Sequence, residues 1–253
     1  MPFGDVVVRA PKGPVRLHYI DASPTGNVAA PAQVVVLSHG LLLPATKLYP
    51  ASGIADADCL AFFWRDQIPE LCRAGFRCIA YDHRGQGTSE RSEDCDLDIL
   101  ADDAIGLIQQ LCPGTRVHFV GHSMGGFVGL RVAVKRPDLV QSLALINSSA
   151  SEDPNRHFYA VLGRLSTWYW PFPGLVASYT VRRILGTSSR ADTRQAELVR
   201  ELVDHIGQVQ RYSGVMSITP AAQAVFFRKA VPPTDLARIA CPTLILVRTT
   251  ATV

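Results

Sequence analysis

Residues 116–136, RVHFVGHSMGGFVGLRVAVKR, decide how the rest of the chain is read. Arg116–Val120 is apolar and β-prone, Gly121-His122-Ser123-Met124-Gly125 interrupts it, and an apolar, helix-compatible run continues to Arg136. The physical reading is strand, sharp turn, helix. A serine at the tip of such a turn sits on strained backbone close to both strand and helix, so small residues are needed two positions either side. Gly121 and Gly125 meet that need. The turn lifts the Ser123 hydroxyl clear of the sheet, and the first N–H groups of the next helix lie unpaired beside it, able to receive a developing oxyanion. With this glycine and serine content G-x-S-x-G arises by chance in roughly one such chain in ten. The flanking strand and helix therefore carry the assignment, and Ser123 is the candidate nucleophile.

The same alternation extends on both sides. Gln33–Ser38 is a continuous apolar strand of the kind buried on both faces of a parallel sheet, and it delivers His39-Gly40-Leu41 at its carboxyl end. Residues at the carboxyl ends of parallel strands line the ligand crevice, which makes the backbone N–H of Leu41 a second candidate oxyanion donor. A histidine before a turn glycine more often orders the loop than acts as a base, and His39 is read that way. Trp64–Ala74 reads as a helix and Phe76–Tyr81 as a buried strand. Asp82-His-Arg-Gly-Gln-Gly-Thr-Ser89 follows as a turn whose charged groups satisfy buried backbone. Leu97–Leu111 is a helix closed by Pro113-Gly114, and Val140–Ile146 is the next strand, ending at Asn147-Ser-Ser-Ala. Upstream, Asp5–Arg9 and Val15–Ile20 flank a Pro-Lys-Gly-Pro turn and predict an antiparallel hairpin at a sheet edge. The expected fold class is α/β: a mostly parallel central sheet with helices on both faces.

Residues 42–63 show no steady period and read as a long insertion beside the proposed oxyanion turn. Residues 151–235 break the alternation with Trp168-Tyr-Trp-Pro-Phe-Pro173 and helical stretches around 181–185, 194–206 and 221–230. The expected organisation is core over 1–150, an inserted helical lid over 151–235, and a return to an incomplete core over 236–253, with Thr243–Val247 as an apolar strand. The lid aromatics are expected to anchor lid to core and to line an apolar pocket on the Ser123 side.

Composition narrows the function. At 253 residues with 47% hydrophobic content the chain is long enough for one large domain with a sizeable core. Its 25 basic and 22 acidic residues, net +3, are scattered without blocks, which argues against nucleic acid as a partner. The six cysteines form no C-x-x-C pair and read as core thiols in a reducing compartment. The N-terminus lacks a signal pattern and no run of about eighteen apolar residues occurs, so the expectation is a soluble cytoplasmic protein with no transmembrane segment. No cofactor or metal is expected.

Taken in order, His39-Gly40, Asp82-His-Arg-Gly-Gln-Gly87, Gly121-His-Ser-Met-Gly-Gly126 and Cys241-Pro-Thr-Leu-Ile-Leu-Val247 resemble the α/β-hydrolase superfamily, specifically its lid-bearing esterase, lactonase and haloperoxidase-like members. The resemblance runs from about Asp5 to Val247. It implies Ser123 as nucleophile on an ester-like carbonyl, the backbone N–H groups of Leu41 and Met124 as the oxyanion hole, and an acyl-enzyme that water resolves. It also implies an acid just after Val247 and a histidine in a later loop. The sequence has Arg248 and Thr249–Val253 there, and no histidine follows His205. GC-rich codons for Thr-Thr-Ala-Thr, where they end in G, read one base earlier as Asp-Asp-Gly-Asp, so a shifted frame is a hypothesis for this tail. Asp153 as acid and His157 or His205 as base are the available substitutes. The expectation is a truncated, impaired serine hydrolase scaffold for small or apolar esters or lactones. The alternative is a ligand-binding scaffold without turnover, and haloperoxidase-like or acyl-transfer chemistry is a third reading.

Overall fold

The computed structural model describes residues 3–11, 13–25, 32–41, 63–154, 156, 200, 203 and 220–247. Seven strands form one sheet in the order β1-β2-β4-β3-β5-β6-β7. They are β1 (Phe3–Ala10), β2 (Gly13–Ala22), β3 (Val34–Ser38), β4 (Arg77–Tyr81), β5 (Val117–His122), β6 (Val140–Ile146) and β7 (Thr243–Leu246). The first two make the expected hairpin, from Phe3 opposite Ile20 to Ala10 opposite Gly13, and β2 then pairs antiparallel with β4. From β4 through β3, β5 and β6 to β7 every pairing is parallel. The helices between them, α1 (Gln67–Arg73), α2 (Leu97–Leu111) and α3 (Met124–Lys135), lie in the crossovers, and a short α4 (Pro233–Leu236) precedes β7.

Local chemistry explains the ends of these elements. Asp96 caps α2 by accepting the Ile99 N–H at 2.7 Å, the usual way an N-terminal orphan donor is satisfied. α1 starts three residues later than its apolar pattern, because 63–66 form a turn in which Trp64 O accepts the Gln67 and Ile68 N–H groups. Pro69 then falls in the first helical turn, where a missing N–H does no harm.

The sheet separates two apolar layers. On one face α2 and α3 pack with the hairpin around Val8, Leu17, Val36, Ile79, Phe119 and Val128. On the other, α1 packs through Ile68 and Cys72 against Val35, Leu37, Cys78 and Ala80, with Trp64 beside them. β3 is buried at every position, as a strand covered on both faces must be. Phe119, fully buried, leaves so little room that a methyl group at Gly129 of α3 would sit 2.8 Å from its ring. α3 is buried over most of its length rather than along one stripe. Its long charged side chains carry their heads to polar partners, Lys135 to Asp102 at 2.8 Å and Arg131 to Lys229 O at 3.0 Å. Burial pushes the Cys78 and Cys95 thiols up to about 12, so these cysteines are inert core residues at neutral pH.

Of the expected lid, residues 155, 157–199, 201–202 and 204–219 lie outside the described residues, and Trp168–Phe172, His157 and His205 are among those outside; residues 42–62 are likewise outside. The two flanks of that stretch do meet. Val231 N–H donates to Ala150 O at 2.8 Å, Arg228 Nε to Ser151 O at 2.9 Å, and the Arg228 guanidinium lies 4.2 Å above the Phe127 ring. Residues 220–226 are helical, so the helix expected around 221–230 stops short, at a turn at Phe227. Among the described residues no helix is long and apolar enough to cross a membrane.

β7 is the outermost strand beyond β6, and Leu244, Ile245, Leu246 and Val247 are 55%, 61%, 48% and 63% exposed. Its side chains point to both faces of the sheet, so apolar groups are exposed on both, and among the described residues no strand pairs with its outer edge, the pattern that templates edge-to-edge association. We expect the 253-residue chain to elute as a concentration-dependent mixture of aggregates in size-exclusion chromatography. Ile245→Lys should raise the monomer fraction several-fold with little change in melting temperature. A clean monomer for the unsubstituted chain would contradict this.

Candidate active site

Ser123 lies between β5 and α3 with φ 50° and ψ −112°, a backbone region that costs a non-glycine residue on the order of 1–3 kcal/mol. This is the strand-to-helix turn expected from the sequence. Its two glycines answer to distinct neighbours. A methyl group at Gly121 would lie 2.3 Å from the carbonyl oxygen of Gly125, and one at Gly125 would lie 2.1 Å from the carbonyl oxygen of Ser38. The first lets strand and helix fold back on each other. The second lets the turn settle onto the end of β3. That contact places the β3 end beside the serine: a methyl group at Gly40 would be 3.4 Å from Ser123 Cβ. Leu41, next in the chain, is half-buried against the apolar layer, and Met124, first residue of α3, is fully buried with Gln86 Nε2 3.7 Å from its sulfur.

Two further contacts hold the serine from β6. The Ser123 N–H donates to Ile146 O at 2.8 Å, and Ser148 Oγ donates to Ser123 O at 2.9 Å. Ser148 was not among the residues expected from the sequence. The available signal was the polar Asn147-Ser-Ser run at a strand's carboxyl end, but nothing in it said which serine would face the turn.

Around the Gly40 turn three histidines gather. His39 is fully buried; its Nε2 accepts the His83 N–H at 3.2 Å, which assigns the proton to Nδ1, 2.7 Å from Gly40 O. Both nitrogens are therefore occupied in holding the loop, and His39 has no free nitrogen to act as a base. The side chain of His83 meets Ser38 Oγ through Nε2 at 3.0 Å, and Ser38 Oγ meets the Tyr81 hydroxyl at 3.2 Å. The His122 ring packs over the Gly40 turn: its Nδ1 and Cε1 would be 2.8 and 3.3 Å from a methyl group at Gly40, and its ring centroid is 4.8 Å from that of Phe63. Burial lowers the pKa of all three; for His83 and His122 the neighbouring His39 adds to it, and His122 comes down to about 4. All three are neutral at physiological pH.

The 82–89 turn is structural, as its sequence implied. Arg84 and Asp103 form a buried two-pronged ion pair, with both N···O distances 2.6 Å. The Asp82 carboxylate accepts the Thr88 N–H at 3.0 Å. Asp153, the substitute acid considered from the sequence, instead faces the Arg228 guanidinium at 3.2 Å. No cluster of three or more histidine, cysteine or acidic side chains able to hold a metal occurs among the described residues.

This packing has two measurable consequences. Gly121→Ala and Gly125→Ala should each destabilise the chain by about 3 kcal/mol or more, read from urea unfolding, because backbone atoms rather than flexible side chains oppose the added methyl group. The histidines set a pH dependence. Their folded pKa values lie below the unfolded value of 6.5, so below that pH the unfolded chain binds more protons. Stability should be full above about pH 6.5 and fall as pH drops towards 4, by up to about 1.4 kcal/mol per pH unit for each histidine. Melts from pH 7.5 to 4.5 test this, and His122→Phe should flatten the slope.

Similarity to known proteins agrees with this architecture. Residues 33–237 match the model of a family described as the alpha/beta hydrolase fold. A RutD protein of Variovorax paradoxus, provisionally named a carbamate hydrolase, is 40% identical over 120 residues, covering 43% of this chain and 44% of that protein. The chain thus spans less than half the length of that relative in the match. Among solved structures, an esterase from Thermogutta terrifontis superposes with a TM-score of 0.71 at 26% identity, covering 96% of this chain and 79% of that one. The enol-lactonase of Burkholderia xenovorans LB400 shares the fold at a TM-score of 0.66 and 19% identity, covering 96% and 91%. With the family model spanning most of the sequence and the seven-stranded, mostly parallel sheet and serine turn in place, the chain belongs to the α/β-hydrolase fold family.

Proposed function

We propose that the chain is a serine hydrolase scaffold whose Ser123 attacks a carbonyl carbon bonded to oxygen, as in a carboxylic ester or lactone. The observation that carries this reading is the φ of 50° at Ser123, on a turn that sits against the Gly40 turn on one side and opens α3 on the other. The hydroxyl oxygen forms a bond to the acyl carbon and the leaving alcohol departs with the proton. The transient oxyanion is received by the backbone N–H groups of Leu41 and Met124, the latter among the orphan donors of a helix start. Water then cleaves the acyl-serine to release the acid. RutD relatives named carbamate hydrolases and an esterase neighbour at 26% identity support an acyl carbon of this type, and a carbamate fits the same scheme. The substrate is taken to be a small, apolar molecule, and residues 151–235 to form a lid whose aromatics face it.

His39 has both nitrogens engaged and Asp153 faces Arg228. An acid–histidine pair serving Ser123 is not assembled from those groups; in this reading acylation is slow and hydrolysis of the acyl-serine, which needs the same base, is slower still, so the adduct accumulates. The second reading, a ligand-binding scaffold without turnover, rests on the same observation. A serine without a positioned base retains only the catalysis of the oxyanion hole and binding, several orders of magnitude below a complete triad. With nitrophenyl acetate we expect feeble turnover that Ser123→Ala changes little, alongside slow acylation at Ser123 detected by intact mass and lost in Ser123→Ala. Turnover at an ordinary enzymatic rate that Ser123→Ala abolishes would mean a base is present, with His157 and His205 the next to replace. Absence of any acyl adduct would favour the binding scaffold.

A further inference from the structure

A serine at φ 50°, ψ −112° stays there only if its surroundings over-determine the backbone. α3 supplies part of the hold, since the Gly126 and Phe127 N–H groups donate to Ser123 O at 2.9 and 3.1 Å. The rest comes from the end of β6, which takes hold of both backbone groups of the serine. Ile146 O accepts its N–H at 2.8 Å, and the Ser148 hydroxyl donates to its carbonyl at 2.9 Å. Between these two stands Asn147 at φ 49°, the other non-glycine residue with positive φ among the described residues. Its turn lets the chain leave the strand and bring the Ser148 side chain back to the nucleophile. Asn147 is itself tied to the neighbouring strand, its N–H donating to Leu246 O of β7 at 2.8 Å. Room for the clamp is made at Gly126: a methyl group there would lie 2.5 Å from both Cβ and Oγ of Ser148. The missing side chain of α3's third residue is the slot into which Ser148 fits.

We propose that Ser148 is a positioning residue for the nucleophile: its hydroxyl fixes the Ser123 carbonyl and, through it, the direction in which the Ser123 side chain leaves the turn. The assignment rests on the reading of Ser123 as nucleophile. Of the four hydrogen bonds on the Ser123 backbone, three are made by main-chain groups that any sequence would retain, and the fourth is the one made by a side chain. Misplacing a reacting oxygen by about 1 Å costs up to about a hundredfold in rate, so a hydroxyl that holds the turn without touching substrate acts on rate rather than on binding.

The test compares the full chain with Ser148→Ala and with Ser148→Thr and Ser148→Val, a pair alike in shape that differs by the hydroxyl. A phosphonofluoridate probe labels Ser123, with the P–F bond breaking, the O–P bond forming, fluoride leaving and the serine proton passing to solvent. We expect Ser148→Ala and Ser148→Val to lower the maximal labelling rate about tenfold or more. The half-saturating probe concentration should stay within about twofold. Ser148→Thr should keep the original rate. Hydrogen exchange of the peptide spanning residues 120–128, which carries the Gly126 and Phe127 amides, should quicken in the same two variants and not in Ser148→Thr. Equal labelling and exchange in all forms would overturn the proposal, as would a loss that falls on the half-saturating concentration. If the unsubstituted chain takes no label, the nucleophile reading fails, and exchange alone then decides whether Ser148 holds the turn. If Ser148→Ala does not fold, the Thr and Val pair supplies the comparison.

Discussion

Everything around the candidate site depends on one close approach, the backbone of the Ser123 turn lying directly on the carbonyl of Ser38. No side chain fits between them, since even a methyl group at Gly125 would come within 2.1 Å of that oxygen. Because the two chains meet backbone to backbone, β3 and β5 bring their carboxyl ends to one place, and the Gly40–Leu41 turn is set beside the serine. A larger residue at position 125 would separate the proposed nucleophile from one of its proposed oxyanion donors. Specificity of geometry is thus achieved through absent side chains, a device open to a chain only where its turns are otherwise well held.

That hold is polar and buried. Ser38, Tyr81, His83 and His39 form a hydrogen-bonded group under the turn, and the Arg84–Asp103 pair closes the loop beside it, all with little or no solvent exposure. Polar groups removed from water are costly unless paired, and pairing here fixes both the loop and the protonation state of the rings. His83 Nδ1 and His122 Nδ1 are buried and have no hydrogen-bond partner among the described residues. They keep the cluster neutral by offering no compensation for a charge. On the far side of the serine, the kink at Asn147 passes the register of β7 to the nucleophile's backbone through Leu246 O, Asn147 and Ser148. The least covered strand of the sheet is therefore mechanically linked to the most constrained residue.

How far the residues spoke for themselves depended on the range of the physics involved. The parallel strands, α2 with its Pro113-Gly114 stop and the serine turn were legible in sequence because strand burial, helix termination and steric strain act within a few positions. Ends drifted by one to three residues where a competing turn intervened, as at Trp64 before α1. The run after the serine read only as apolar and helix-compatible; that α3 is buried nearly throughout was not legible, since the number of layers packed around a helix is not written in its own periodicity. The structural roles of His39 and the 82–89 turn followed from how polar groups satisfy buried backbone, and the contacts agree. Which groups they would meet, His83 N–H, Gly40 O and Asp103, did not.

By itself the sequence determined the chemistry available at the turn: a serine flanked by glycines, between a strand and a helix, with a second glycine turn at the end of an earlier strand. These are local requirements, enforced by the strain of positive φ and by the reach of a helix's first N–H groups. Tertiary structure alone decided that Gly125 rests on Ser38 rather than on solvent, that Asp153 meets Arg228, and that Ser148 holds the Ser123 carbonyl. Each is a contact between segments many residues apart, set by strand order and by how close two backbones pack, and no spacing within either segment encodes it.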